Sequence, residues 1–133
     1  MTLLLDTCAF LWLVVAPQRL SRPVRRALQD ATVEVSVSAV SFWEMSLKQA
    51  LGKLLLEGET IEGLVDAAAA HRCELLPLTA QVASTFHHLP LLGRHRDPFD
   101  RMLVWQAIQH HLTLVSRDRA MEAYQTEGLK ILW

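Results

Sequence analysis

The chain has 133 residues, 51% of them hydrophobic, and a formal net charge of −1 at pH 7. This length and apolar content predict a single folded domain with an ample core and exclude a disordered chain. A net charge so close to zero excludes a protein that draws in nucleic acid through a strong overall field. An anionic partner would therefore have to be held by a local basic patch or by a metal ion.

The N-terminal apolar run and the two cysteines indicate where the protein acts. The run Leu3–Ala16 is interrupted by Asp6, has no Lys or Arg before it, and is otherwise too short to span a bilayer. Cys8 and Cys73 lie in apolar surroundings far apart in the sequence, which favours reduced core residues over a disulfide. We therefore expect a cytoplasmic protein with no membrane segment.

Short apolar segments typical of strands alternate along the chain with longer segments typical of helices. In chain order the pattern predicts strand Thr2–Leu5, helices Cys8–Val15 and Arg22–Ala31, strand Val33–Val37, helices Phe42–Leu51 and Thr60–Arg72, strand Glu74–Leu78, helices Ala80–His88 and Phe99–His111, strand Leu112–Ser116, a short helix Ala120–Gln125 and strand Leu129–Trp133. This alternation indicates an α/β protein, a single three-layer α/β/α domain (1–133) around a central, mainly parallel sheet of about five strands. A capping box of Ser41 and Glu44 is expected to begin the third helix, and Gly52 to end it.

Acidic side chains follow several predicted strands, at the sheet edge where ligands bind in parallel α/β proteins. They are Asp6 at the end of the first strand, Glu44 in the first turns of the helix after the second strand, Asp97 and Asp100 at the start of helix Phe99–His111, and Asp118 just after strand Leu112–Ser116. That helix rises roughly 20 Å at about 1.5 Å per residue, and the strand returns roughly 17 Å at about 3.3 Å per residue. Asp118 is therefore expected to come back beside Asp97 and Asp100.

Carboxylates gathered in this way repel one another unless a proton or a cation lies between them. Carboxylate oxygens and water are the ligands that Mg²⁺ and Mn²⁺ prefer, so the pattern favours a site for such a cation. Three of the acids also have a local explanation: Asp97 and Asp118 could each be only a helix N-cap, and Glu44 only half of the capping box. Asp6 is harder to explain locally, because burying an unpaired carboxylate at the sheet edge is costly.

Basic side chains form two groups that could contact a nucleic-acid backbone. The first group shares one helix face, which could equally be a solvated surface, and consists of Arg22, Arg25 and Arg26. The second group is expected at the mouth of the acidic site, and consists of Arg94, His95, Arg96, Arg117 and Arg119. RNA contacts are expected mainly from this second group, because it flanks the acids.

The remaining basic and aromatic side chains have local interpretations. Lys48 stands one helical turn after Glu44 and is expected to form an i,i+4 ion pair with it. Arg101 could brace the carboxylate of Asp100 or could lie on the surface. The tryptophans of the apolar helical segments are expected in the core or at an interface, and are Trp12, Trp43 and Trp105.

Four segments resemble the motif blocks of PIN domains, in particular those of the VapC toxins of bacterial VapBC toxin–antitoxin pairs. The segments are LLLDTCAFLWL, SFWEMSLKQALGKL, RDPFDRMLVWQA and LTLVSRD, and they occur in the family's order. The resemblance extends from Leu3 to Trp133, and D-P-F-D-R is the most specific part of it.

The resemblance implies a Mg²⁺- or Mn²⁺-dependent ribonuclease that leaves 5′-phosphate and 3′-hydroxyl ends. The residues that match the four family acids are Asp6, Glu44, Asp100 and Asp118. Of these, Asp6, Asp100 and Asp118 would hold the metal, and Glu44 would be a further ligand or would orient the attacking water. Asp97 is an additional acid that could be a ligand or a cap. The implied partners are an RNA substrate, a VapB-type antitoxin and a second copy of the chain in a homodimer.

Three other functions remain open at this point. A PIN nuclease could process RNA without being a toxin, and a PIN fold could bind partners with no catalysis. A phosphoaspartyl phosphotransferase, which would also use Asp6, is disfavoured because position 8 is a cysteine and not the second aspartate such enzymes need.

Overall fold

A computed structural model describes all residues, 1–133, as an alternation of strands and helices. In chain order the elements are β1 (Thr2–Leu5), α1 (Thr7–Val15), α2 (Arg22–Gln29), β2 (Glu34–Ser38), α3 (Ala39–Ala50), α4 (Ile61–Ala70), β3 (Cys73–Leu76), α5 (Ala80–Thr85), α6 (Pro98–Gln109), β4 (Thr113–Val115) and β5 (Lys130–Leu132). Short 3-10 helices cover Pro17–Arg19, Phe86–His88 and Arg119–Glu127. The predicted order of elements is therefore confirmed throughout.

The five strands form one sheet in the order β3-β2-β1-β4-β5, and every neighbouring pair is parallel. The predicted α/β/α architecture is confirmed, with the sheet wholly and not just mainly parallel. β1 lies in the centre, where Leu4 is opposite Ser36 on one side and Leu114 on the other. Because parallel strands align their carboxyl ends, the residues that follow β1 and β4 must emerge side by side.

Side chains of β1 enter two cores, one on each face of the sheet. Leu3 and Leu5 pack with α1, α2 and α4 in the first core, whereas Leu4 packs with residues of α5 and α6 in the second core. All three leucines have no solvent-exposed surface. Full burial of a leucine side chain contributes about 1.5–3 kcal/mol, so this strand anchors both layers and holds the residue after it, Asp6, at a defined place.

Two helix starts differ from the predicted ones in a way that matters for the acids. Helix α1 begins at Thr7, because Asp6 is its N-cap and accepts a hydrogen bond from the backbone N–H of Ala9. Helix α3 begins at Ala39 with Ser38 as its N-cap. The predicted capping box of Ser41 and Glu44 is therefore wrong, since both residues lie inside the helix and face the protein interior.

Other element ends shift by one to three residues, and two of the helices change type. The segment predicted as helix Ala80–His88 is α-helical only to Thr85, and a 3-10 turn completes it. The predicted short helix Ala120–Gln125 is the 3-10 helix Arg119–Glu127. No helix combines the length and the apolar character that a transmembrane span would need.

Some burial predictions are wrong because apolar neighbours in sequence do not fix which way a helical residue points. Cys8 is exposed, whereas Cys73 is buried, and both thiols are free. Trp105 is buried in the second core, as expected, and Trp12 is half-buried. Trp43 is not a core residue, since 61% of it is exposed, so only the predicted alternative of an interface position remains for it.

Candidate active site

The carboxyl ends of the central strands open into a cleft of about 630 Å³. All five predicted acids line this cleft, and they are Asp6, Glu44, Asp97, Asp100 and Asp118. Apolar walls are formed by residues of α1 and of the segment after α3, including Leu11, Trp12 and Leu54. The tertiary structure therefore brings together acids that are up to 112 residues apart in the sequence.

Asp6 is held in place by both its backbone and its side chain. Its N–H donates to the carbonyl oxygen of Val115 at 3.0 Å, which extends the β1–β4 pairing by one step. Its Oδ1 accepts from the N–H of Ala9 at 2.7 Å. Burial raises the pKa of Asp6 to about 6, and the charges of Glu44 and Asp118 add to the rise, against hydrogen bonds from Ala9 and Ser116.

Asp97 and Asp100 stand at the start of α6 in different roles. Asp97 is the N-cap, which is one of its two predicted roles, because its Oδ1 accepts from the N–H groups of Phe99 at 2.9 Å and of Asp100 at 3.2 Å. Asp100 caps nothing, and its carboxylate faces the other acids. Its pKa is raised to about 7, first by burial and then by the charges of Asp97, Glu44, Asp6 and Asp118.

Asp118 returns to the same place after β4. Its Oδ1 accepts from the N–H of Ala120 at 2.9 Å, so it caps the 3-10 helix as the local explanation predicted. Possible ligand atoms of Asp118, Asp100 and His95 lie within 4.8 Å of one another. The expectation that Asp118 comes back beside Asp100 is therefore confirmed. Asp97 and Asp118 each cap with one carboxylate oxygen, which leaves the second oxygen of each without a hydrogen bond.

Glu44 has both carboxylate oxygens engaged. Its Oε1 accepts from the hydroxyl of Thr7 at 2.6 Å, and its Oε2 pairs with the ammonium group of Lys48. The predicted i,i+4 pair is confirmed, and the hydrogen bond raises the pKa of Lys48. Thr7 Oγ1 also lies 2.9 Å from the hydroxyl of Ser41. Thr7 had no role in the sequence prediction, although it directly follows Asp6, and Ser41 had been predicted only as half of the capping box with Glu44.

His95 and Arg101 are buried, which contradicts their predicted roles. His95 is only 9% exposed and therefore cannot contact RNA as a surface residue. Arg101 neither braces a carboxylate nor lies on the surface, because its guanidinium donates to the Tyr124 hydroxyl at 3.2 Å and to the carbonyl of Leu89 at 2.9 Å. His95 Nδ1 lies 3.2 Å from the same Tyr124 hydroxyl. Sequence spacing gave no signal for this network, since its members lie up to 29 residues apart.

The predicted RNA-contacting arginines divide into two sets. Four of them are exposed around the acids: Arg117 and Arg119 line the cleft, and Arg94, Arg96 and Arg119 line an adjoining cleft that shares Asp97, Asp100 and Asp118 with it. The three on α2, which are Arg22, Arg25 and Arg26, are exposed but line neither cleft. A further arginine, Arg19, stacks over Trp12 with its Cζ 4.7 Å from the ring centroid.

The arrangement concentrates negative charge that nothing nearby fully compensates. Lys48 is the only side-chain cation that forms an ion pair shorter than 4.0 Å with one of the acids, apart from His95 if it is protonated. Burial and, after it, the charges of the neighbouring acids raise the pKa of Asp6 to about 6 and the pKa of Asp100 to about 7. A cluster of this kind attracts protons or a divalent cation.

Comparisons with known proteins bear on the family and the fold of the chain. The family model of the PIN domain matches residues 3–127. The chain is 30% identical to Ribonuclease VapC22 of Mycobacterium tuberculosis (strain ATCC 25618 / H37Rv) over 132 residues, which are 99% of this chain and 98% of that protein. Its fold matches VapBC2 from Rickettsia felis, solved with a promoter DNA fragment, at a TM-score of 0.68 and 16% identity over 100% of this chain and 99% of that one. It also matches VapBC-1 from nontypeable Haemophilus influenzae at a TM-score of 0.64 and 18% identity, over 99% and 97% of the two chains.

Proposed function

Because the chain belongs to the PIN-domain family, we propose that it is a metal-dependent endoribonuclease and the toxin component of a toxin–antitoxin pair. The observation that carries the proposal is the convergence of Asp6, Asp100 and Asp118 in one cleft, with raised pKa values at Asp6 and Asp100. The 30% identical relative over nearly the whole chain is named a ribonuclease, which supports the same activity. We propose that the protein acts in the cytoplasm, where such an RNA substrate would be present.

The acids that line the cleft fit a hard divalent cation. Carboxylate oxygens are the ligands that Mg²⁺ and Mn²⁺ prefer, and Asp118 has a carboxylate oxygen left over after capping. Asp6, Asp100 and Asp118 would hold the cation, and Mg²⁺ is the proposed cofactor with Mn²⁺ as its substitute. When bound, the cation would supply a Lewis acid that makes water more acidic and offsets charge on the phosphate during in-line displacement.

Glu44 would act from beside the cation. Its two oxygens are occupied by Thr7 and Lys48, so direct binding of a cation would require Lys48 to move away. In the arrangement that the structure has, Glu44 adds negative charge to the cleft and positions Thr7 at the start of α1. Asp97 would chiefly hold the first turn of α6, and thereby the direction of Asp100, through its two backbone hydrogen bonds.

The exposed arginines beside the acids would hold the RNA backbone. Arg117 and Arg119 flank Asp118, and Arg94 and Arg96 border the adjoining cleft. Guanidinium groups at such places would neutralise phosphates and set the register of the chain without reading its sequence. Because these four arginines surround an acidic centre, the nearly neutral protein has local positive charge where a polyanion must approach.

An antitoxin and a second copy of the chain are the proposed protein partners. The structural neighbours are toxin–antitoxin complexes, which supports a VapB-type antitoxin as one partner. Helix α3 and the segment just after it have four large apolar side chains that are exposed: Trp43, Leu47, Leu51 and Leu55. Exposed apolar clusters commonly mark protein interfaces, so this surface would pack against the antitoxin or in the homodimer.

The test compares wild type with Asp100→Asn, and with Asp66→Asn as a matched control that neutralises an exposed acid of α4. Each protein is incubated with total RNA, with Mg²⁺ or with a chelator, and new RNA 5′ ends are mapped. We expect Mg²⁺-dependent cleavage from wild type and Asp66→Asn only. Identical maps from wild type and Asp100→Asn would refute the nuclease assignment.

A second comparison separates a toxin from a housekeeping nuclease. Expression of wild type alone is expected to arrest growth, and coexpression of a small neighbouring gene to restore it. Normal growth with active RNA cleavage would instead identify an RNA-processing PIN nuclease.

A further inference from the structure

We propose that His95 is itself a cation ligand, so that its Nε2 completes a mixed nitrogen and oxygen site with Asp100 and Asp118 that binds Mn²⁺ more tightly than Mg²⁺. This inference rests on the proposed function, because the cation is the one that the nuclease would use. It goes beyond a site made of carboxylates alone, since it adds a side chain from the loop before α6.

The first observation is that a buried ring nitrogen, His95 Nε2, has no hydrogen-bond partner. His95 is 9% exposed, and its Nε2 has no hydrogen-bond partner in the protein. The nearest charged oxygen, Asp100 Oδ2, lies 3.5 Å away in a geometry that forms no hydrogen bond. Buried polar atoms in folded proteins nearly always have a partner, so an exception in a cleft needs an explanation. A bound cation would supply one.

The second observation is that the opposite side of the imidazole is anchored. His95 Nδ1 lies 3.2 Å from the Tyr124 hydroxyl, which Arg101 also contacts through Nε–H at 3.2 Å. Histidines that bind metals usually donate their other ring N–H to an oxygen, which fixes the ring and leaves the second nitrogen free. With the ring proton on Nδ1, Nε2 has a free lone pair at 3.5 Å from Asp100 Oδ2. The other tautomer, with the proton on Nε2, is the competing arrangement that the experiment must exclude.

The third observation is the closeness of the three ligand atoms. Those of His95, Asp100 and Asp118 lie within 4.8 Å of one another. Two ligands on opposite sides of one Mg²⁺-sized ion lie roughly 4.2 Å apart, given ligand distances of about 2.1 Å. Asp118 is exposed and has one oxygen outside its capping bond. A small rotation of that side chain would therefore close the site.

The ligand set determines the expected preference among cations. Mg²⁺ is bound by oxygen ligands and water, whereas imidazole nitrogen suits transition metals such as Fe²⁺, Ni²⁺, Cu²⁺ and Zn²⁺. Mn²⁺ accepts carboxylates as Mg²⁺ does, but it belongs to the same transition-metal series as those ions and therefore takes an imidazole nitrogen more readily than Mg²⁺ does. A site in which an imidazole joins the carboxylates would therefore favour Mn²⁺ over Mg²⁺ more than a site of carboxylates alone.

The experiment uses the full chain with its histidines labelled with ¹⁵N, and Mn²⁺ alone as the probe. His95 is the only one of the six histidines that lines either acidic cleft. Pulsed electron paramagnetic resonance of bound Mn²⁺ is expected to show a ¹⁵N coupling. His95→Gln is expected to remove the coupling and to weaken Mn²⁺ binding about tenfold or more, with less than about a threefold change for Mg²⁺. The control His110→Gln, at an exposed position after α6, is expected to change neither.

The outcomes separate this inference from the function on which it rests. Bound Mn²⁺ without a ¹⁵N coupling, in a protein that still cleaves RNA, would overturn the role of His95 and leave the nuclease intact. Failure of wild type both to bind Mn²⁺ and to cleave RNA would overturn both. Circular dichroism checks that His95→Gln folds. If this variant does not fold, the presence or absence of the ¹⁵N coupling in the wild type decides whether His95 binds the cation.

Discussion

Replacing Asp100 by asparagine should make the metal-free protein more stable, although it should abolish cleavage. The pKa of Asp100 is raised from 3.8 to about 7 because burial and four neighbouring acids disfavour its charged form. At about 1.36 kcal/mol per unit, this shift corresponds to roughly 4 kcal/mol. The side chain is 24% exposed, and water screens the repulsion, so we expect a gain of only about 1–2 kcal/mol.

The sign of the pH dependence follows from proton binding. Between pH 3.8 and about 7 the folded protein keeps a proton on Asp100 that the unfolded chain has released. The stability of the wild type therefore falls as pH rises through this range, and the penalty is complete above pH 7. Asparagine has no charge to desolvate, so the advantage of Asp100→Asn should be absent near pH 4 and largest near pH 8.

The assay is urea denaturation in a chelating buffer at several pH values, with Asp66→Asn as the control for a lost surface charge. Addition of Mn²⁺ should then stabilise the wild type by mass action and leave Asp100→Asn nearly unchanged. The reasoning about charge repulsion would be refuted if, near pH 8 without metal, Asp100→Asn were no more stable than the wild type.

Three further substitutions test the fold, the site and the RNA contacts. Leu4→Ala should lower the free energy of unfolding by about 2–5 kcal/mol in urea, because it leaves a cavity in the second core; a loss below 1 kcal/mol would contradict a rigid centre. Thr7→Val keeps the side-chain shape but removes the hydroxyl that donates to Glu44, so it should cost about 1–3 kcal/mol in the same measurement, whereas an unchanged midpoint would mean that water replaces the hydroxyl. Arg117→Gln should weaken RNA binding and reduce the slope of the logarithm of the binding constant against the logarithm of the salt concentration by about 1. Arg25→Gln, which lies away from both clefts, should change neither quantity in the same filter-binding measurement. Equal effects of the two substitutions would mean that the RNA also contacts α2.

Strand positions and the acids that follow them could be predicted from local sequence. The run Leu3–Leu5 must be buried on both faces, which places it in the middle of a parallel sheet, and Asp6 directly after it must lie at the carboxyl edge. The return of Asp118 to Asp100 followed from the lengths of one helix and one strand. Similarity to PIN domains supplied what length and pattern could not, which is the kind of reaction.

Side-chain direction within helices and loops could not be predicted. Ser41 and Glu44 have the spacing of a capping box, yet helix α3 begins about one turn earlier and Ser38 is its N-cap. Cys8 and Trp43 stand among apolar neighbours but point outward. Helical residues a single position apart differ by about 100° in direction, so a residue with buried neighbours in the sequence can still face the solvent.

By itself, the sequence determined the order of strands and helices and the edge of the sheet at which the acids emerge, because these depend on periodicity within short segments. Only the tertiary structure decided which acids are left without a partner and that His95 and Arg101 are buried around Tyr124. Those contacts join segments more than 20 residues apart, and whether a polar atom finds a partner depends on all the segments that surround it. Local patterns cannot contain that information.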